Sequence, residues 1–174
     1  MNSSSINKTL GILGGGQLGK MLLQKAADYY ITSYVLDADA DSPCKNLCTR
    51  FVNASFKNYD AVMQFAQSCD IVTVEIEHVN TDALMELEQQ GKKVYPQPHL
   101  LKMVQDKGLQ KLFYKEHNIP SADFYLVENK SQILKDKFPL IQKTRTAGYD
   151  GKGVRKLNAA SDLNTAFDEP SVIE

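Results

Sequence analysis

Tryptophan is missing from the 174 residues, and cysteine is scarce, limited to Cys44, Cys48 and Cys69. Three cysteines cannot build the disulfide framework that staples small secreted domains. No second pair of cysteine or histidine residues stands near Cys44 and Cys48 to complete a zinc site. The thiols read as structural or incidental, and a reducing cytoplasm is the expected setting. Long apolar runs are missing too: the longest are strand-length, far short of the roughly 20 residues of a membrane span. The polar start MNSSSINK has no apolar signal core. Nor does one sign of charge prevail, since 20 lysines and arginines stand against 21 aspartates and glutamates for a net charge of −1. No global field then draws the protein to nucleic acid or to an anionic membrane, so anionic ligands must be met at local sites. Internal repeats are absent, as are low-complexity tracts beyond the serine leader.

What is present is an alternation of apolar runs and helical repeats. Residues 9–13 are apolar and end in Gly14-Gly15-Gly16, the pattern of a buried strand entering a tight turn. Residues 17–30 carry Leu18, Met21, Leu22, Lys25 and Ala26 on a helical repeat. β-Branched and aromatic residues at 32–36 predict a second strand, closed by Asp37. The same alternation predicts helices at 57–68 and 81–90 and strands at 71–76 and 93–95. Near-continuous apolar strands belong to parallel sheets covered by helices on both faces. Pro96-Gln97-Pro98 punctuates the end of this unit. A mostly helical stretch at 100–117 follows, stopped by Asn118-Ile119-Pro120. Beyond it the pattern predicts strands at 124–127, 139–143 and 154–157, helices near 131–136 and 161–167, and a last strand at 171–174. The expected class is α/β: a Rossmann-like parallel-sheet domain over residues 1–97, then linker helices and the first part of a second, incomplete domain over residues 98–174.

Two glycine-rich loops carry the chemistry. The first, GGGQLG at residues 14–19, contains Gly-x-Gly-x-x-Gly between a strand and a helix. Bare backbone there lets an anion approach the amides at a helix N-terminus, where the partial positive charge favours it. Asp37 lies 21 residues beyond Gly16, where a dinucleotide-binding fold places its ribose carboxylate. Three readings stay open for this loop alone: a dinucleotide site, a tight turn with no ligand, and a cradle for a sugar phosphate. Glu75 and Glu77 stand two apart on an extended segment, so as strand residues they would share a face. They are either site carboxylates or a surface pair at a strand end.

The second loop follows the apolar strand that ends in Lys143. It brings Lys143, Arg145, Lys152 and Arg155 around Gly148, Gly151 and Gly153. A lysine leaving a buried strand can reach nucleotide phosphates, and the glycines let the backbone fold over them. This is no Walker A loop, because the Gly-Lys-Ser/Thr ending and the following helix are absent. An exposed charged hairpin is the plainer alternative. A dehydrogenase has no need of a second phosphate cradle, which weighs against the dinucleotide reading.

GGGQLGKM at residues 14–21, VLDADADSP at 35–43, VEIEHV at 74–79, QDKGLQK at 105–111 and KTRTAGYDGKG at 143–153 occur in this order. In that order they resemble the motifs of the 5-(carboxyamino)imidazole ribonucleotide synthase family. These are ATP-grasp enzymes, the ATPase component of bacterial phosphoribosylaminoimidazole carboxylation. The resemblance spans nearly the whole chain, and its most specific piece is the GYDGKG loop. It implies a pre-ATP-grasp domain followed by the start of an ATP-grasp domain, cut from a longer protein. The implied reaction is ATP-dependent carboxylation of 5-aminoimidazole ribonucleotide with bicarbonate, through carboxyphosphate and carbon dioxide.

The matching positions imply ATP contacts from Lys107, Lys143, Gly148, Tyr149, Asp150, Gly151, Lys152 and Gly153. Lys107 stands where the family commonly has arginine, which keeps the charge and loses bidentate geometry. Gly15, Gly16, Gln17 and Leu18 match the loop around the substrate's ribose phosphate. Glu77, in preference to Glu75, is implied at the substrate amine and Tyr149 at the carbon dioxide pocket. Asp37 becomes a strand-end residue, and Ser42 a weaker substrate contact. Carboxylates for Mg²⁺ belong to the family's later residues, so no metal ligand is expected here, and residues 172–174 match the start of the strand that contacts adenine. A homodimer is expected from the family. Three rivals remain: the sister formate-dependent glycinamide ribonucleotide transformylase, which tends to carry Glu where Gln17 stands; an NAD-dependent oxidoreductase; and a non-catalytic nucleotide-binding module.

Overall fold

The computed structural model describes residues 8–146, 148 and 152–174, and the chain divides into two compact units, one up to Leu101 and one from Lys102. In the first, β1 (Thr9–Leu13), β2 (Thr32–Asp37), β3 (Arg50–Asn53), β4 (Ile71–Val74) and β5 (Lys93–Tyr95) form a parallel sheet in the order β3-β2-β1-β4-β5. Helix α1 (Gln17–Asp28) joins β1 to β2, α2 (Tyr59–Gln67) joins β3 to β4 and α3 (Thr81–Gln89) joins β4 to β5, while β2 runs to β3 without a helix. Both sheet faces are covered. Ile12 and Val35 pack with Leu23 and Cys44, while Leu13, Leu36 and Val72 pack with Val62, Phe65, Leu84 and Leu87. Adjacent strand residues point to opposite faces, so burial on both sides requires the near-continuous apolar runs that mark these strands.

The strand order sets the site. From β1 the chain winds outward through β2 and β3, then returns to the other side of β1 with β4 and β5. The switch point lies between β1 and β4, and in such sheets a crevice opens there at the carboxyl ends of the strands. Those ends are the Gly14–Gly16 turn and Glu75.

Several local expectations are corrected. The pattern does not predict β3, a short edge strand whose four residues are exposed or half-buried and whose register comes from pairing Tyr34–Asp37 of β2. α1 is present, but its buried residues are Gly19, Leu23 and Ala26, whereas Leu18 and Met21 are 64% and 54% exposed. Gly19 decides this, because a β-carbon there would sit 3.1 Å from Cys44 Sγ and 3.2 Å from the Gly14 carbonyl, which marks the close-approach face. β4 ends at Val74, so Glu75 and Glu77 lie in bends and not on one strand face. Helix α2 starts two residues later than the pattern suggests, at a side-chain cap from Asn58, while α3 starts at Thr81 as expected, capped by Asn80.

The second unit holds an antiparallel sheet of β6 (Tyr125–Val127), β7 (Leu140–Thr144), β8 (Val154–Leu157) and β9 (Ser171–Ile173), ordered β6-β9-β7-β8. The stretch predicted as one helix is two, α4 (Pro98–Gln105) and α5 (Lys107–Glu116). Asp106 leaves helical geometry at φ −116°, ψ 107° and caps α5 by accepting from the Gly108 and Leu109 amides. The helices expected near 131–136 and 161–167 are 3₁₀ turns, Lys130–Gln132 and Ala160–Thr165. Polar side chains bond the local backbone at both, Asn129 to the Ser131 amide and Asp162 to the Asn158 amide, which favours turns over helix. Val127, Ile133, Leu140, Leu157, Ala166 and Ile173 form the core. Gln142 is fully buried beside it, with its amide satisfied by both backbone groups of Phe167 and by Ser171 Oγ. Among the described residues no helix is long and apolar enough to cross a membrane.

Candidate functional site

The chain leaves β1 through Gly14, at φ 94°, a conformation in which a β-carbon is costly. The Gly15 amide donates to Asp37 Oδ2 at 2.5 Å, and Ser42 Oγ donates to the Gly15 carbonyl at 2.7 Å. The second Asp37 oxygen accepts from the Asp39 amide at 2.8 Å. The carboxylate that would hold ribose hydroxyls in a dinucleotide site is thus engaged by backbone amides and braces the loop. Ser42, expected as a weak ligand contact, is a buried brace of the same turn.

From the other side of the switch point, the Glu75 amide donates to the Leu13 carbonyl at 2.8 Å. The Glu75 carboxylate lies against the loop, where a β-carbon on Gly16 would be 2.8 Å from its Oε1. Gly16 caps α1 without a side-chain hydrogen bond, so the amides of the first turn keep their donors at the positive end of the helix dipole. Gln17 and Leu18 are exposed there. The loop residues and Glu75 are therefore brought together. Glu77 is placed differently, with Oε1 3.5 Å from His78 Nε2, a buried nitrogen that makes no hydrogen bond. His78 lies inside the VEIEHV motif but was not singled out in the sequence, where only the two glutamates suggested chemistry.

In the second unit, Leu140, Gln142 and Thr144 are buried on one face of β7 and Lys143 stands on the other. Ile141 pairs with Glu174 through two backbone hydrogen bonds, so Lys143 and Glu174 are diagonal neighbours on that face. Lys143 Nζ is 2.5 Å from Glu174 Oε2, and Lys111 Nζ of α5 is 2.6 Å from Glu174 Oε1. Burial by itself would raise the Glu174 carboxyl, but the two ammonium groups outweigh it and hold the carboxyl below its ordinary value. The motif had shown neither Lys111 nor Glu174 as partners of Lys143, because their spacing in sequence carries no contact information.

Lys107 opens α5, with its amide donating to the Arg145 carbonyl at 2.9 Å and its Nζ to the Gly148 carbonyl at 3.1 Å. By sequence Arg145 is one of the loop's basic residues. Its guanidinium instead grips Asp106 with two bonds, Nε to Oδ1 at 2.9 Å and Nη2 to Oδ2 at 2.6 Å. Burial pushes the Asp106 carboxyl upward, yet Arg145 and the capped amides win and hold it below the usual carboxylate range. Arg155 is also engaged, donating to the Thr165 carbonyl and lying 4.6 Å over the Phe167 ring. Of the four basic residues expected around the loop, two therefore act as structural ties. Lys152 is exposed, and the Gly153 carbonyl accepts from the Thr144 amide at 2.8 Å. Tyr149, Asp150 and Gly151 lie outside the described residues.

Among the described residues no group of three or more His, Cys, Asp or Glu is arranged to hold a metal ion. Cys44, Cys48 and Cys69 are free, and burial pushes the Cys44 and Cys69 thiols up to about 11, too high to supply a thiolate nucleophile at neutral pH.

A parallel sheet with this strand order and a glycine turn at its switch point defines the class, a Rossmann-like α/β unit. Residues 7–105 match the ribonucleotide synthetase preATP-grasp domain, and the chain belongs to that family. It is 41% identical over 157 residues to the phosphoribosylaminoimidazole carboxylase of Candida albicans, a match covering 84% of this chain and 28% of that protein. The N5-carboxyaminoimidazole ribonucleotide synthetase of Thermotoga maritima superposes with a TM-score of 0.87 at 32% identity, over 96% of this chain and 45% of that one. A synthase from Aspergillus clavatus, in complex with ADP and 5-aminoimidazole ribonucleotide, superposes with a TM-score of 0.83 at 31% identity, over 97% of this chain and 46% of that one. The chain thus spans less than a third of the curated relative and just under half of each solved synthetase.

Proposed function

We propose that this chain supplies the ribonucleotide-binding unit and the opening of the ATP-binding unit of a synthetase that carboxylates 5-aminoimidazole ribonucleotide. The observation that carries this is the similarity, over 97% of the chain, to a synthase that binds ADP and that ribonucleotide together. In this proposal residues 1–97 are the pre-ATP-grasp domain and residues 98–174 are linker helices and the first part of an ATP-grasp domain. Bicarbonate is the carbon source, the assembly is a homodimer, and the three free thiols fit a reducing cytoplasm.

A bicarbonate oxygen attacks the γ-phosphorus of ATP and ADP leaves with the bridging oxygen. The carboxyphosphate breaks its carbon–oxygen bond to give carbon dioxide and phosphate. The exocyclic amine then adds to carbon dioxide and loses a proton, leaving a carbamate. Lys107 and Lys143 neutralise phosphate charge, with Gly148, Tyr149, Asp150, Gly151, Lys152 and Gly153 as further ATP contacts. The uncapped first turn of α1, with Gly15, Gly16, Gln17 and Leu18, receives the ribose phosphate. Glu77 accepts a hydrogen bond from the amine, or Glu75 does so from its place against the loop, and Tyr149 borders the carbon dioxide. Phosphoryl transfer of this kind uses Mg²⁺; the described residues form no cluster to hold it, and no step here is assigned to the ion.

Calorimetric titration of the full-length protein tests the assignment. Lys143→Ala is expected to weaken ATP binding by about one to two decades, from a charge-assisted contact worth roughly 1.5–3 kcal/mol, with the ribonucleotide unaffected. Gly16→Val is expected to weaken the ribonucleotide alone. NADH that binds saturably and competes with the ribonucleotide overturns the proposal.

A further inference from the structure

We propose that Lys111 is a positioning residue: it holds the Glu174 carboxylate so that Lys143 is free to leave that carboxylate for a nucleotide phosphate. This rests on the assignment of Lys143 to the nucleotide.

The three side chains differ in how firmly they are held. Lys111 Nζ meets Glu174 Oε1 at 2.6 Å, Ser121 Oγ at 2.5 Å and the Ala122 carbonyl at 3.4 Å, and lies 5.7 Å from the centre of the Phe124 ring. An ammonium group has three N–H donors, and here three oxygens and a ring face surround it. Its side chain is 13% exposed, and that of Glu174 is 11% exposed, against 31% for Lys143. The fixed corner is Lys111, and the open corner is Lys143.

Paired with Lys143 alone, so enclosed a carboxylate would retain it, because separation would strand a charge away from water. With Lys111 present, Glu174 keeps a counter-charge when Lys143 departs. The two ammonium groups also repel each other across the shared carboxylate, and the triad has one positive charge in surplus. The geometry leaves room for the exchange. Lys111 Nζ lies 2.6 Å from Glu174 Oε1 and Lys143 Nζ 2.5 Å from Oε2, so each ammonium group holds its own carboxylate oxygen. Release of Lys143 from Oε2 therefore leaves the Lys111 contact to Oε1 in place.

The test is a double-mutant cycle in the full-length enzyme, reading ATP Kd, ATP KM, kcat and ribonucleotide Kd. Lys111→Met is expected to raise Kd and KM for ATP about tenfold, with kcat and ribonucleotide Kd changed less than about twofold. Lys111→Arg is expected to restore ATP affinity, since the charge returns. In a Glu174→Gln background, where nothing retains Lys143 by charge, Lys111→Met is expected to change ATP affinity less than about twofold. Equal losses in both backgrounds, or no loss in either, overturn the proposal. Lys111→Gln takes the place of Lys111→Met in the cycle if the methionine variant does not fold, with the same two outcomes. Lys143→Ala run alongside separates the levels: unchanged ATP affinity there removes the nucleotide assignment itself, whatever Lys111 does.

Discussion

Asp106 caps α5 and pairs with Arg145 through one carboxylate, and two substitutions can separate these roles. Asparagine keeps an acceptor for the cap and removes the charge. Asp106→Asn is expected to destabilise the second unit by about 1.5 kcal/mol, the lower end for bonds to charged groups, since both side chains retain some exposure. Asp106→Ala adds the loss of the cap, about 1 kcal/mol more. Urea unfolding of both variants measures the difference, and equal midpoints would show that the cap contributes nothing. The pH dependence follows from the depressed carboxyls of Asp106 and Glu174. A carboxyl lower in the folded than the unfolded state adds stability that is fully present above the ordinary carboxylate range, about pH 4. That stability is lost as pH falls through the folded value, because the unfolded chain then binds more protons. The acid loss is expected to be shallower in Asp106→Asn than in the parent. An unchanged slope would assign the acid sensitivity elsewhere.

The turn from β1 to α1 shows how an element depends on its neighbours. Gly15 was legible as a loop glycine open to a phosphate, but its immediate constraint is internal. A β-carbon there would fall 2.3 Å from Ser42 Oγ, which is held by its own bond to the Gly15 carbonyl. Gly15→Ala is expected to cost about 1–3 kcal/mol through overpacking. Ser42→Ala removes the hydroxyl and with it the shortest contact, leaving Val35 Cγ1 at 3.0 Å, so the second substitution is expected to recover part of the loss, read as a coupling free energy from thermal or urea unfolding. Additive costs would mean that the strain lies elsewhere in the turn. The same neighbourhood explains what the pattern misplaced. Leu18 and Met21 are apolar but exposed, while Gly19, Leu23 and Ala26 are buried, so of the repeat that predicted α1 Ala26 faces the core and Leu18 and Met21 do not.

Across the whole molecule, the two units carry separate parts of the proposed chemistry, and the chain spans just under half the length of the solved synthetases it matches. Residues 1–174 by themselves are therefore expected to show no bicarbonate- and ribonucleotide-dependent ADP release, while the full-length protein does. Turnover by the 174 residues above a buffer blank would contradict the division of labour proposed here. The amino-acid sequence by itself determined the apolar strands of the first sheet, the glycine turn after β1 and the place of Lys143 on its strand, because two-sided burial and turn geometry impose residue types at short range. It did not determine β3, the break at Asp106, or the roles of Asp37, Arg145, Lys111 and Glu174. Those were decided by strand order and by pairing between residues 22 to 63 positions apart, as in Asp37 with Gly15, Arg145 with Asp106 and Lys111 with Glu174. Charges and hydrogen bonds act over a few ångströms in space whatever their separation along the chain, so only the tertiary fold could choose these partners.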